Sequence, residues 1–141
     1  MTWVAYALLG ALAAGATAIL SKVGVGVGSM PSNLAVLIRT AVVLVITATI
    51  VVARGEHSAI REVKGGTWAA LIVSGIATGI SWLAYFKALQ LAPASSVAPL
   101  DKLSLPVTIV LAALFLGEAL TLRVVLGVSL MVVGAIVATR S

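Results

Sequence analysis

Five apolar runs, each about as long as a helix needs to cross a bilayer, fill nearly the whole of this chain. They are residues 3–23, 34–53, 67–90, 94–116 and 122–139. A spanning helix takes roughly 20 apolar residues to cross about 30 Å of hydrocarbon. Alternating strand patterning is missing, so a membrane barrel is not indicated. Hydrophobic residues make up 62% of the 141, and only 9% are charged. A soluble domain has about a quarter of its residues charged, and a chain this short cannot hide so much apolar surface from water. Disorder is excluded because there is too much to bury. The fold expected is all-α: one integral membrane bundle of five transmembrane helices in a single domain over 1–141.

The remaining composition narrows function. The net charge is +5, but the basic residues are scattered among apolar runs and form no stripe for nucleic acid. There is no cysteine, so thiolate chemistry and Cys-bound metals are excluded. One His, no metal-ligand spacing and no Walker loop leave no basis for an enzyme, a cofactor or a metal site. Any pumping would be secondary. The N-terminus is apolar from Trp3 with no basic residue ahead of it, so it reads as a first membrane helix and not as a secretory signal.

Turn formers separate the runs. Gly24, Gly26, Gly28 and Pro31 follow the first. Arg54–Gly66 is the one truly polar stretch, a loop with five charges: Arg54, Glu56, Arg61, Glu62 and Lys64. His57 in it reads as solvated. Leu91–Pro93 is a tight turn with Pro93 suited to a helix start. Gly117–Leu120 closes the fourth helix and opens the fifth, with Glu118 at the fifth helix's start, where its dipole favours an acid. Gly75 and Gly79 form a GxxxG pair, and Gly127 and Gly134 share a face; such residues predict close helix approach in lipid, unless they reflect only the abundance of Gly in membrane helices.

Trp3 and Trp68 fit an aromatic belt. Arg54, Arg61, Lys64 and Arg123 fall on one side of the membrane, and Lys22, Lys87 and Arg140 on the other. The positive-inside rule places the polar loop and the N-terminus in the cytoplasm, and Ser141 outside. Four against three is a weak bias that also permits both orientations to coexist.

Three charges lie deep within the spans, whereas Lys22, Lys87 and Arg123 stand near span ends. Arg39, Asp101 and Lys102 sit about 8–12 Å below one membrane edge by the 1.5 Å rise per residue. A charge at the centre of a span costs about 2.5–3.5 kcal/mol on insertion scales. One reading is a basic polar cavity that suits a carboxylate or phosphate. The other is an Arg39–Asp101 ion pair that locks two helices, with Lys22 and Lys87 snorkelling to the surface. Hydroxyls repeat along helix faces as Ser74, Thr78, Ser81 and Tyr85, as Asp101, Ser104 and Thr108, and as Thr17 with Ser21. They either line a solute path or bond back to their own helices. Pro99 and Pro106 bracket Asp101 and Lys102 and bend the fourth helix, as at transporter sites or as a packing kink. Trp82 is a cavity aromatic or part of a second belt. The candidate substrate contacts are Arg39, Asp101, Lys102, Ser81, Trp82, Tyr85 and Ser104.

Tyr85–Val137 resembles the EamA domain of the drug/metabolite transporter superfamily. The stretch ALQLAPASSVAPL is similar to that family's turn between its third and fourth helices, LFLGEALT to its Leu-Gly-Glu element, and GVSLMVVGA to its last helix. NLAVLIRTAVVLV is similar to its second helix, which often carries an Arg where Arg39 stands. Most members have ten helices in two inverted five-helix repeats; this chain resembles the short five-helix bacterial and archaeal transporters. The resemblance implies a carrier, often an exporter, of small metabolites or drugs. It implies a multi-pass protein of a prokaryotic inner membrane, surrounded by lipid and paired as a homodimer, parallel or antiparallel. A structural or accessory membrane subunit and a lipid-linked sugar flippase component are the alternatives. The acid that small multidrug carriers need in their first helix is absent.

Overall fold

A backbone in hydrocarbon must satisfy its polar groups internally, which a helix does within one segment. The structure, a computed structural model, describes residues 2–26 and 30–139. Gly28 in the first turn, Arg140 at the membrane edge and the terminal Ser141 lie outside the described residues. The elements in order are α1 (Trp3–Gly26), α2 (Ser32–Ala53), a 3₁₀ helix (Glu56–Glu62), α3 (Gly65–Leu91), α4 (Ala94–Asp101), α5 (Ser104–Leu116) and α6 (Leu122–Thr139). There is no strand among the described residues. Five segments are long and apolar enough to span a membrane, the fourth, Ala94–Leu116, being built from α4 and α5.

The helix ends depart from the sequence reading in instructive ways. α1 continues through Gly24 and Gly26, which were expected in a turn. Gly costs a helix about 1 kcal/mol relative to Ala, and here Val25 between them is buried. Arg54–Gly66 is not a plain loop. It turns through Gly55 at φ 70° into the 3₁₀ helix, and α3 already begins at Gly65. The Lys64 carbonyl accepts from the amides of Thr67 and Trp68 and so opens α3. His57 is exposed on the 3₁₀ helix.

Glu118 is corrected too. No acid lies in the first turn of α6. Gly117, at φ 69°, ends α5, and the Glu118 amide donates to the Ala112 carbonyl at 3.4 Å. That wrap satisfies a helix-end carbonyl and suits glycine, which carries no Cβ penalty there. α6 is opened instead by Thr121, whose Oγ1 accepts from the Val124 amide at 3.4 Å and whose carbonyl accepts from Val125. Thr is a favoured N-cap for this reason. The small-residue expectation is corrected as well: a Cβ added at Gly75, Gly79, Gly127 or Gly134 would meet nothing within 4 Å. Among the described residues of this chain, none of these glycines marks a close helix approach.

The chain forms two compact units, Met1–Ile19 with Leu91–Ser141, and Leu20–Gln90. In the first, α4 packs chiefly on α6; Val97 and Ala135 are buried, and so is Ala18 of α1. In the second, the buried residues gather at the end of α1, the start of α2 and the end of α3: Ser21, Val25, Ser32, Val36, Phe86 and Leu89. Two polar ties hold that end. Lys22 Nζ donates to the Leu89 carbonyl, and Gln90 Nε2 donates to the Met30 carbonyl at 2.8 Å. Leu89 lies in the last turn of α3, where carbonyls lack intrahelical partners and the helix dipole favours a cation.

Elsewhere most large apolar side chains of the described residues are exposed, Trp3 at 80% and Phe115 at 79% among them. Only an apolar solvent makes such a surface stable, and lipid is that solvent.

Two stability outcomes follow. Lys22→Met should lower unfolding stability by about 1–2 kcal/mol, the scale of a hydrogen bond to a charged group, while Lys22→Arg should retain most of it. Gly117→Ala should cost about 1 kcal/mol, because an L side chain resists the left-handed conformation. Thermal melts of purified protein in one detergent check both.

Candidate functional site

Arg39 lies seven residues into α2 from Ser32, about 10 Å at 1.5 Å per residue. Its guanidinium stands 4.2 Å from the centroid of Trp82 and 5.7 Å from that of Phe86, both on α3. Trp82 and Phe86 are four apart and therefore share a helix face. Cation–π contacts of this kind are worth about 0.5–2 kcal/mol, more where water is excluded. Phe86 is buried, and Arg39 and Trp82 are half-buried. Tyr85 meets Phe86 edge-on, ring centroids 6.3 Å apart. Arg39 takes part in neither of the two ion pairs found among the described residues.

Below Trp82 an open groove of about 450 Å³ runs between α2 and α3. Its walls include Thr40, Val43 and Thr47 from α2 and Leu71, Ser74 and Thr78 from α3, with Gly75 and Gly79 on the α3 side. The volume falls in the range of small-molecule sites, roughly 300–1,000 Å³. Missing side chains at Gly75 and Gly79 help leave this space open.

The hydroxyl stripes divide. Thr40 Oγ1 donates to the Val36 carbonyl at 2.8 Å, Thr47 Oγ1 to Val43 at 2.8 Å and Thr78 Oγ1 to Ser74 at 2.9 Å. Thr17 and Thr108 do the same to Ala13 and Ser104. Back-bonding of this sort is the ordinary behaviour of Thr in a helix, and it turns these residues' methyl groups and oxygen lone pairs to their surroundings. Ser81 and Ser104 are exposed and Tyr85 is half-buried.

Asp101 and Lys102 meet in the other unit. Lys102 Nζ stands 3.1 Å from Asp101 Oδ2. Neighbours in sequence do not face each other on a continuous helix. They do here because α4 stops at Asp101, with Lys102 as its cap. Pro106 supplies the reason: it lacks the amide that would bond Lys102, and its ring clashes with that carbonyl. The ladder tightens to i→i+3 bonds instead, Leu103 to Leu100 and Leu105 to Lys102, each 3.0 Å. Pro99 remains inside α4.

The structure thus groups Arg39, Trp82 and Tyr85 around Phe86 within one unit, and Asp101, Lys102 and Ser104 around the α4–α5 break within the other. Phe86 and the groove residues Thr40, Val43, Thr47 and Leu71 were missed from sequence. Apolar residues and back-bonded threonines on a membrane helix carry no signal that separates a groove wall from a lipid-facing surface.

The EamA-like transporter family model matches residues 1–140. A protein of a Sinorhizobium species described as an uncharacterized transporter in the cobO 3' region is 48% identical over 135 residues, which cover 96% of this chain and 94% of that one. No solved structure is significantly similar. With five membrane-spanning helices and a family match over nearly its full length, this multi-pass membrane protein belongs to the EamA-like transporter family.

Proposed function

We propose that the protein is a secondary transporter that exports a small metabolite or drug-like solute across a prokaryotic inner membrane, as a homodimer of five-helix half-transporters. The observation that carries this reading is Arg39, a guanidinium within a membrane span that rests on Trp82 and belongs to no ion pair among the described residues. Ionisable side chains are expensive in a bilayer, and where they persist they mark solute and ion pathways. The break at Lys102 adds support. Interrupted helices place unwound backbone and charge at transporter sites, and here they present Asp101 and Lys102 together. Ser81, Trp82, Tyr85 and Ser104 complete the proposed substrate contacts.

A structural or accessory membrane subunit is the second reading. It is favoured by Asp101 and Lys102 bonding each other and by threonines that bond their own helices. In it, the charges hold helices and move nothing.

Purified protein in liposomes separates the two. The transporter moves solute down a gradient, and Arg39→Gln and Asp101→Asn each lower the rate at least about tenfold, the loss expected when a charge-assisted hydrogen bond of about 1.5–3 kcal/mol disappears, with folded yield unchanged. Equal rates in wild type and both variants reduce the charges to scaffolding. An antiparallel homodimer further requires both insertion orientations. C-terminal fusions to a reporter active only in the cytoplasm and to one active only outside should then both give signal; strictly one-sided signal leaves a parallel pair.

A further inference from the structure

We propose that the α2–α3 groove receives an amphipathic anion: a single apolar chain ending in a carboxylate, its head on Arg39 and its tail along Val43 and Leu71. This names a substrate class for the transport reading and rests on it for any role in flux. Three features carry it. First, the Arg39 guanidinium carbon stands 4.2 Å from the Trp82 ring centroid. An aromatic ring answers the charge of a guanidinium without occupying its N–H groups as an oxygen would, and those N–H groups match a carboxylate bidentately. No carboxylate of the described residues forms an ion pair with it. Second, Arg39 is not itself a wall of the groove, but the ring it rests on, Trp82, and its chain neighbour Thr40 both are. Arg39, Val43 and Thr47 recur at four-residue spacing on one face of α2, which sets the cation at one end of the groove. Third, the groove is largely apolar beyond that end, Ser74 contributing a hydroxyl. Its threonines Thr40, Thr47 and Thr78 spend their protons on their own helices, and Val43 and Leu71 stand among them. From Trp82 to Leu71 is eleven residues, about 16 Å along α3. A free single-chain anion fits this shape: charge complementarity at one end, an apolar trough for the rest, and a volume within the range of small-molecule sites.

The test reads binding, not flux, so this proposal and the transport reading can fail separately. Trp82 becomes the sole tryptophan when Trp3 and Trp68 are changed to Phe. In nanodiscs of zwitterionic lipid, decanoate should quench its fluorescence saturably, with acetate and decanol at least tenfold weaker. Arg39→Gln should bring decanoate down to the level of decanol. Gly75→Leu has open space for its Cβ and lies seven residues from Trp82; it should shorten the trough and abolish the preference for decanoate over hexanoate.

Equal binding of decanoate and decanol, unchanged affinity in Arg39→Gln, or an unmoved chain-length preference in Gly75→Leu each overturns the proposal. The same quenching produced by anionic bilayer lipid without decanoate makes lipid the occupant and also overturns it. So does efficient disulfide formation between copies of Thr78→Cys, clean to read in a chain without cysteine, because it seats a second copy in the groove.

Discussion

Lipid is the solvent that this chain is written for, and that single condition sets most of what the structure does. With no water to bond, every amide in the hydrocarbon must find a partner within the protein. That demand makes the spans helical from Trp3 onward and makes their interruptions meaningful. It also removes the force that normally buries side chains, since a lipid tail is as apolar as leucine. The consequence is visible in how little is buried: among the described residues, Leu89 alone of the large side chains is fully enclosed. Cohesion comes from a short set of buried residues, among them Val36, Phe86, Leu89 and Val97, and from a few polar ties.

The same solvent turns each charge in a span into a separate problem, and the chain solves them differently. Lys22 uses the carbonyl of Leu89 at the negative end of α3. Asp101 and Lys102 use each other, which only a broken helix permits. Arg39 uses the faces of Trp82 and Phe86. A carbonyl or a carboxylate answers a cation's hydrogen-bonding demand, whereas an aromatic face answers only its charge. Arg39 therefore differs from the other two cases in having its charge met by aromatic rings and by no carboxylate of the described residues. The membrane carrier reading and the substrate class proposed for the groove both grow from that asymmetry.

Legibility varied with the range of the physics involved. Apolar runs are read by counting, so all five spans were visible, and so were the charged residues within them. Boundaries turned on packing and were less visible. Gly24 and Gly26 look like turn residues, yet α1 runs through them with Val25 buried. Glu118 looks like a helix opener, yet Gly117 in the left-handed region winds the chain past it and Thr121 takes the role. The GxxxG pattern names two small residues and says nothing of what faces them. Here Gly75 and Gly79 face a groove and not a neighbouring backbone.

By itself the sequence determined the class of solvent, the helical class, the number of crossings and the family, because these depend on composition and on order along one dimension. Which residue each charge would meet was decided only in three dimensions. Arg39 and Trp82 are 43 positions apart, and Lys22 and Leu89 are 67 apart. No periodicity within one helix encodes which turn of another comes beside it. That register is set by the summed packing of many weak contacts, and it alone places a guanidinium on an indole that also lines an open groove.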